Sequence, residues 1–147
     1  MSFCSSSDNV AIPEEIGTWG ESHLEPENLY RVVGNQLYSS MSWDELKSMY
    51  SNIGRSSINP IILSLVTIFQ YLEDIPDRVS ASFVKTRLDW KYALHLPLYD
   101  SGFHYSDLCN FRKRLLSHDK ESLIFDELLD SIRTLGFLNK RKYHRTD

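Results

Sequence analysis

Between residues 57 and 76 the chain reads SINPIILSLVTIFQYLEDIP, and two prolines bracket a run whose apolar residues recur at helical spacing. Ile61, Ile62, Leu65, Val66, Phe69 and Leu72 fall on one broad helical face, whereas a strand would scatter them over both of its faces. Pro60 suits the first helical turn, where a missing N–H costs nothing. Pro76 interrupts the pattern, and a helix reopens at DRVSASFVKTRL with Asp74 or Ile75 in its cap region. Two helices joined by a turn of about three residues form the outline of a helix-turn-helix.

The same punctuation continues on both sides. Ser42 with Glu45 three residues on has capping-box spacing, Leu46 and Met49 form an i, i+3 apolar pair, and Asn52 and Gly54 would close that short helix. Downstream, DWKYALHL must end at Pro97, because a residue before proline is pushed out of the α region. In that stretch the pair Trp90 and Tyr92 is read as part of a packed helix rather than a base-stacking platform, with Trp90 buried and Lys91 exposed. YDSGFHYS is loop by composition, and Ser106 is placed to cap DLCNFRKRLL, with Leu108, Phe111 and Leu115 on the inner face. A last helix, from Lys120 to Leu135, turns Ile124, Leu128, Ile132 and Leu135 inward, with Gly136 as its C′ residue.

No strand pattern or internal repeat is evident. The expectation is an all-α fold, a compact bundle of five or six short helices that includes the helix-turn-helix-like pair. A flexible or extended lead-in is expected over residues 1–24, the helical body over 25–138 and a basic linker over 139–147.

At 147 residues the chain has the length of one domain, long enough to bury about two thirds of its unfolded surface. With 41% hydrophobic residues, 6 Gly and 5 Pro it reads as globular. Cys4 and Cys109 are too isolated to form a disulfide framework, which favours an intracellular location. The segment MSFCSSSDNV lacks the basic and apolar regions of a signal peptide, and no apolar run reaches the length of a membrane span. A cytoplasmic protein with no membrane partner is expected. His23, His95, His104, His118 and His144 have no metal-ligand spacing, and there is no phosphate-cradling glycine loop or nucleophilic triad.

The net charge of -4 argues alone against a nucleic-acid binder, but the charge is unevenly placed. Residues 1–60 hold 3 Lys/Arg against 8 Asp/Glu, while residues 61–147 hold 13 against 12. Lys140, Arg141, Lys142 and Arg145 make a basic end that could contact phosphates. Arg112, Lys113 and Arg114 form a second cluster, with Arg112 and Arg114 turned outward if Leu108, Phe111 and Leu115 face the core. Lys85 and Arg87, on the second helix of the pair, stand where base or phosphate contacts are made if that helix enters a major groove. Arg78 is expected to pair with Asp74 or Asp77. Solvated helix surface is the plain alternative for each of these groups.

The ordered series GRSSINPIILSLVTIFQYLEDIPDR, DWKYALHL, FHYSDLCNFRKRLL and the closing Arg145-Thr146-Asp147 resembles the N-terminal helical domain of bacterial insertion-sequence transposases of the DDE class, over residues 42–147. The resemblance implies that such helices bind the terminal inverted repeats of the element in double-stranded DNA. It also implies that a following RNase H-like domain cuts and joins strands with three carboxylates and two divalent metals, Mg2+ in the complete enzymes. Asp147 matches the position of the first catalytic carboxylate. Two-metal chemistry needs several converging carboxylates, so this chain is expected to need no cofactor of its own, to be catalytically incomplete and not to act as an enzyme. The alternative is a protein–protein module that binds itself or inhibits full-length transposase, or an inert truncated remnant.

Overall fold

In the computed structural model, residues 10–40, 44, 59–117, 119 and 121–134 are described, and every regular element among them is helical. They are α1 (Glu14–His23), α2 (Leu29–Val32), a π-helical turn (Val33–Leu37), α3 (Tyr38–Ser40), α4 (Pro60–Glu73), α5 (Asp77–Thr86), α6 (Leu88–Leu94), α7 (Tyr105–Ser117) and α8 (Glu121–Thr134). The all-α expectation holds.

Helix α4 begins where the sequence placed it. The Asn59 side chain accepts from the Ile61 N–H at 2.8 Å, and Pro60 occupies the first turn. The helix ends on Asp74 in the left-handed region, at φ 59°, a conformation that a short polar side chain tolerates. Ile75 N–H then reaches back to the Gln70 carbonyl at 3.1 Å. Gln70 Nε2 donates onward to the Ile75 carbonyl (3.2 Å) and to Asp77 Oδ1 (2.8 Å), so one side chain fixes both the turn and the start of α5. The cap residue of α5 is Pro76 itself.

Three further boundaries differ from expectation. Residues 14–23 are a helix rather than part of an extended lead-in, with Ile16 and Gly20 buried against the body. Helix α7 starts at Tyr105, not after Ser106. Its cap is His104, whose Nδ1 accepts from Ser106 N–H at 3.1 Å while Asp107 Oδ2 accepts from His104 N–H at 3.1 Å, a capping box built with an imidazole. Helix α6 stops on His95 in the left-handed region, two residues before Pro97. The expected helix beginning at Ser42 and Glu45, Gly136 and the 139–147 segment lie outside the described residues.

The core is aromatic at its centre. Trp90 is fully buried, with Phe69 and Phe83 at ring-centroid distances of 5.3 and 5.5 Å, and Tyr30 stands edge-on to Phe69 at 4.8 Å. Leu108, Phe111 and Leu115 from α7 and Leu128 and Ile132 from α8 close it, as their spacing predicted. Burying five such side chains contributes on the order of 10 kcal/mol of hydrophobic free energy before entropy is counted.

The N-terminal elements are held by close approach. Helix α1 and the π-helical turn pack on α6, and a Cβ on Gly20 would lie 2.2 Å from the Tyr92 ring, so only glycine fits there. The His95 ring lies flat on Tyr38, 3.8 Å between centroids, with Nδ1 against the Val10 carbonyl and Nε2 2.7 Å from the Gly34 carbonyl. Among the described residues no helix is long and apolar enough to cross a membrane.

Candidate nucleic-acid interface

Helix α5 sets out two opposite faces. Ser80, Ala81 and Val84 are buried, and Arg78, Ser82, Lys85 and Thr86 are exposed. The exposed four follow i, i+4, i+7, i+8 and therefore form one stripe along the helix. The single carboxylate of α5, Asp77, points elsewhere and is bound by Arg112.

Arg78 does not pair with Asp74 or Asp77. Its guanidinium lies over the Tyr105 ring, 4.1 Å from the centroid, and Nη2 donates to the Tyr105 hydroxyl at 2.8 Å. Stacking fixes the side chain without neutralising its charge. Lys85 stands exposed at the other end of the stripe.

Arg87 occupies a different environment from Lys85. It is not on α5 but in the extended junction between α5 and α6, at φ −98° and ψ 122°. Nη1 donates to Glu73 Oε1 (2.8 Å), Nε to Asp89 Oδ1 (3.0 Å) and Nη2 to Asp89 Oδ2 (2.8 Å). The guanidinium also sits within 5.5 Å of the Tyr30, Phe83 and Trp90 ring centroids. Tyr30 and Trp90 donate to the same Glu73 carboxylate.

The charges in this cluster respond to their burial and to each other. Burial pushes the Glu73 carboxyl up, but hydrogen bonds from Arg87 and Tyr30, the Arg87 charge and the Trp90 N–H outweigh it, leaving Glu73 below the usual carboxylate range. Burial and the neighbouring Glu73 push the Tyr30 phenol well above its ordinary value. Burial works against the Arg87 charge, and its bonds to Asp89 and Glu73 overcome that and hold it firmly protonated. Asp77 is held low chiefly by its hydrogen bonds from Arg112.

The 112–114 cluster divides. Arg112 is about one-third exposed and bridges α7 to α5 through Asp77; Lys113 is exposed; Arg114 is half-buried. Lys91, expected at the surface, is 1% exposed, because α6 is short and packed on several sides. Its Nζ donates to the Asp100 carbonyl at 3.0 Å, and burial, only partly offset by the Asp100 charge, lowers its pKa.

Lys140, Arg141, Lys142, Arg145 and Asp147 lie outside the described residues. Among those described, no three His, Cys, Asp or Glu side chains converge as a metal site. Sequence reasoning missed Arg78 and Tyr105 as a stacked pair. The spacing of Arg78, Ser82 and Lys85 on a stretch free of acids was the signal available for the stripe; the contact with Tyr105, 27 residues away, had none.

The described chain is thus an all-α domain organised around a helix pair with a three-residue turn, whose second helix gathers exposed cations. Its sequence matches the family model Transposase domain (DUF772) over residues 20–114, and the chain belongs to that transposase family. No curated protein and no solved structure matches it significantly.

Proposed function

We propose that this chain is a duplex-DNA-binding portion of a DDE-class transposase that recognises the terminal inverted repeats of its element through the exposed stripe of α5. The observation that supports this most directly is the stripe itself: Arg78 and Lys85 exposed on the second helix of a tightly turned pair, with that helix's only acid bound by Arg112. A helix so placed presents cations and small hydroxyls to a major groove, the residue types that contact phosphates and base edges. On this reading strand cleavage belongs to the RNase H-like part of such transposases and to its metals, and residues 10–134 position DNA rather than cut it. Binding to another copy or to a longer transposase is the competing role.

Fluorescence anisotropy against an inverted-repeat duplex from an insertion sequence of this transposase family, beside a scrambled duplex and across a salt series, tests the reading. The expected result is preference for the repeat, with Lys85→Ala weakening binding and reducing the salt slope by about one counterion. Equal or undetectable binding to both duplexes would overturn it.

A further inference from the structure

The loop between α6 and α7 is fastened at several points, its tip turn included. Asp100 N–H donates to the Pro97 carbonyl at 3.1 Å, closing a turn with Tyr99 in its third position, and Gly102 N–H donates to Asp100 Oδ1 at 2.7 Å. From below, the buried Lys91 ammonium holds the Asp100 carbonyl. Gly102, at φ +73°, lies against α5 so closely that a Cβ there would stand 3.1 Å from Lys85 Cγ and 3.3 Å from Val84 Cγ1. At the far end His104 caps α7 and Tyr105 lies beneath Arg78. Residues 102–105 therefore run antiparallel to α5, meeting it near Lys85 at Gly102 and near Arg78 at Tyr105, the first residue of α7.

Its tip carries Tyr99, 88% exposed. A tyrosine usually buries its ring, and a loop that displays one while being held in a single shape has lost in advance the entropy that binding would otherwise cost. The fastening itself is costly: Lys91 places an ammonium in the interior with one hydrogen bond among the described residues, where an apolar side chain would be more stable.

We propose that this loop is a second element of the DNA interface, with Tyr99 donating its hydroxyl to a phosphate of the strand flanking the groove that α5 enters, and with Lys91 as the positioning residue that presents it. This rests on the DNA-binding reading above. The occupant is duplex DNA because Tyr99 stands three residues before Gly102, which packs on α5 at the exposed Lys85, and the chain then reaches the exposed Arg78 through Tyr105; these two cations favour a polyanion.

The test is an anisotropy titration of the full chain and its Tyr99→Phe, Lys91→Met and Lys85→Ala variants against the inverted-repeat duplex, with circular dichroism melting of each. Tyr99→Phe should lose about tenfold in affinity with an unchanged salt slope and melting temperature, since only an exposed hydroxyl is removed. Lys91→Met should melt no lower than the parent yet bind a fewfold more weakly, an outcome that a purely structural lysine would not give. If Lys85→Ala weakens binding while Tyr99→Phe and Lys91→Met bind like the parent, the loop proposal is overturned and the α5 reading stands. If the parent binds no DNA, both fall. Loss of self-association in Tyr99→Phe with DNA affinity intact would overturn the DNA assignment in favour of a protein contact.

Discussion

The guanidinium of Arg112 grips Asp77 with both ends, Nη1 to Oδ1 at 3.0 Å and Nη2 to Oδ2 at 2.7 Å, tying α7 to the first turn of α5. Part of its bonding capacity is thus spent inside the fold. Arg112→Ala is expected to lower stability by about 1 kcal/mol, the scale of a partly exposed but bidentate pair. Lys113→Ala, next to it but exposed, should fall within about 0.5 kcal/mol of the parent. Urea midpoints at constant m separate the two.

Arg87 should behave as a structural residue with a larger effect. Its removal leaves Glu73 and Asp89 without their cation in a partly buried aromatic setting. Arg87→Ala is expected to cost about 2 kcal/mol. Arg87→Lys should recover less than half of that, because an ammonium cannot reproduce the fork that spans two carboxylates. Chemical denaturation of both variants is the check.

Two glycines should differ in how they can be rescued. Gly20→Ala drives a Cβ into the Tyr92 ring, and Gly34→Ala drives one to 2.7 Å from the Tyr92 backbone carbonyl. Each should cost about 1–3 kcal/mol by overpacking. Adding Tyr92→Leu should recover part of the loss for Gly20→Ala and little for Gly34→Ala, since a side chain can be trimmed and a backbone carbonyl cannot. Melting temperatures of the two double variants decide it.

Stability should vary with pH in three regimes. Glu73 and Asp77 are depressed when folded, so their contribution is complete above the unfolded carboxylate values, about 4, and is lost as pH falls through the folded ones. Lys91 is also depressed, so between its folded value and about 10.4 the unfolded chain binds the extra proton and stability rises with pH. Tyr30 is raised, so above about 10 the folded chain keeps a proton that the unfolded chain releases, and stability falls. Urea denaturation from pH 3 to 11, on the order of one point per pH unit, should show this shape. Lys91→Met should abolish the alkaline rise and leave the acid limb unchanged.

Much of the helical framework was legible because its determinants are local. Asn59 and Pro60 start α4, Pro76 restarts the chain, and the spacing of Leu108, Phe111 and Leu115 turns α7 inward, all from residues a few positions apart. Helix α1 was missed because only Ile16 and Gly20 are buried along it, and Tyr92, the ring against Gly20, lies more than 70 residues away. The cap at His104 was misplaced because serine is the commoner cap, and the imidazole that performs the role needed its ring set against Ser106.

The sequence by itself determined that the chain is helical, where its central pair turns and which family it resembles, since periodicity, proline geometry and capping act over short spans. Only the tertiary structure decided what each charged side chain does. Lys85 and Arg87 are two residues apart, yet one is open to solvent and the other is clasped by Glu73 and Asp89; Lys91 resembles both in sequence and is buried beneath Asp100. A cation's role depends on the groups that converge around it, and chain folding brings those groups together from positions that local spacing does not encode.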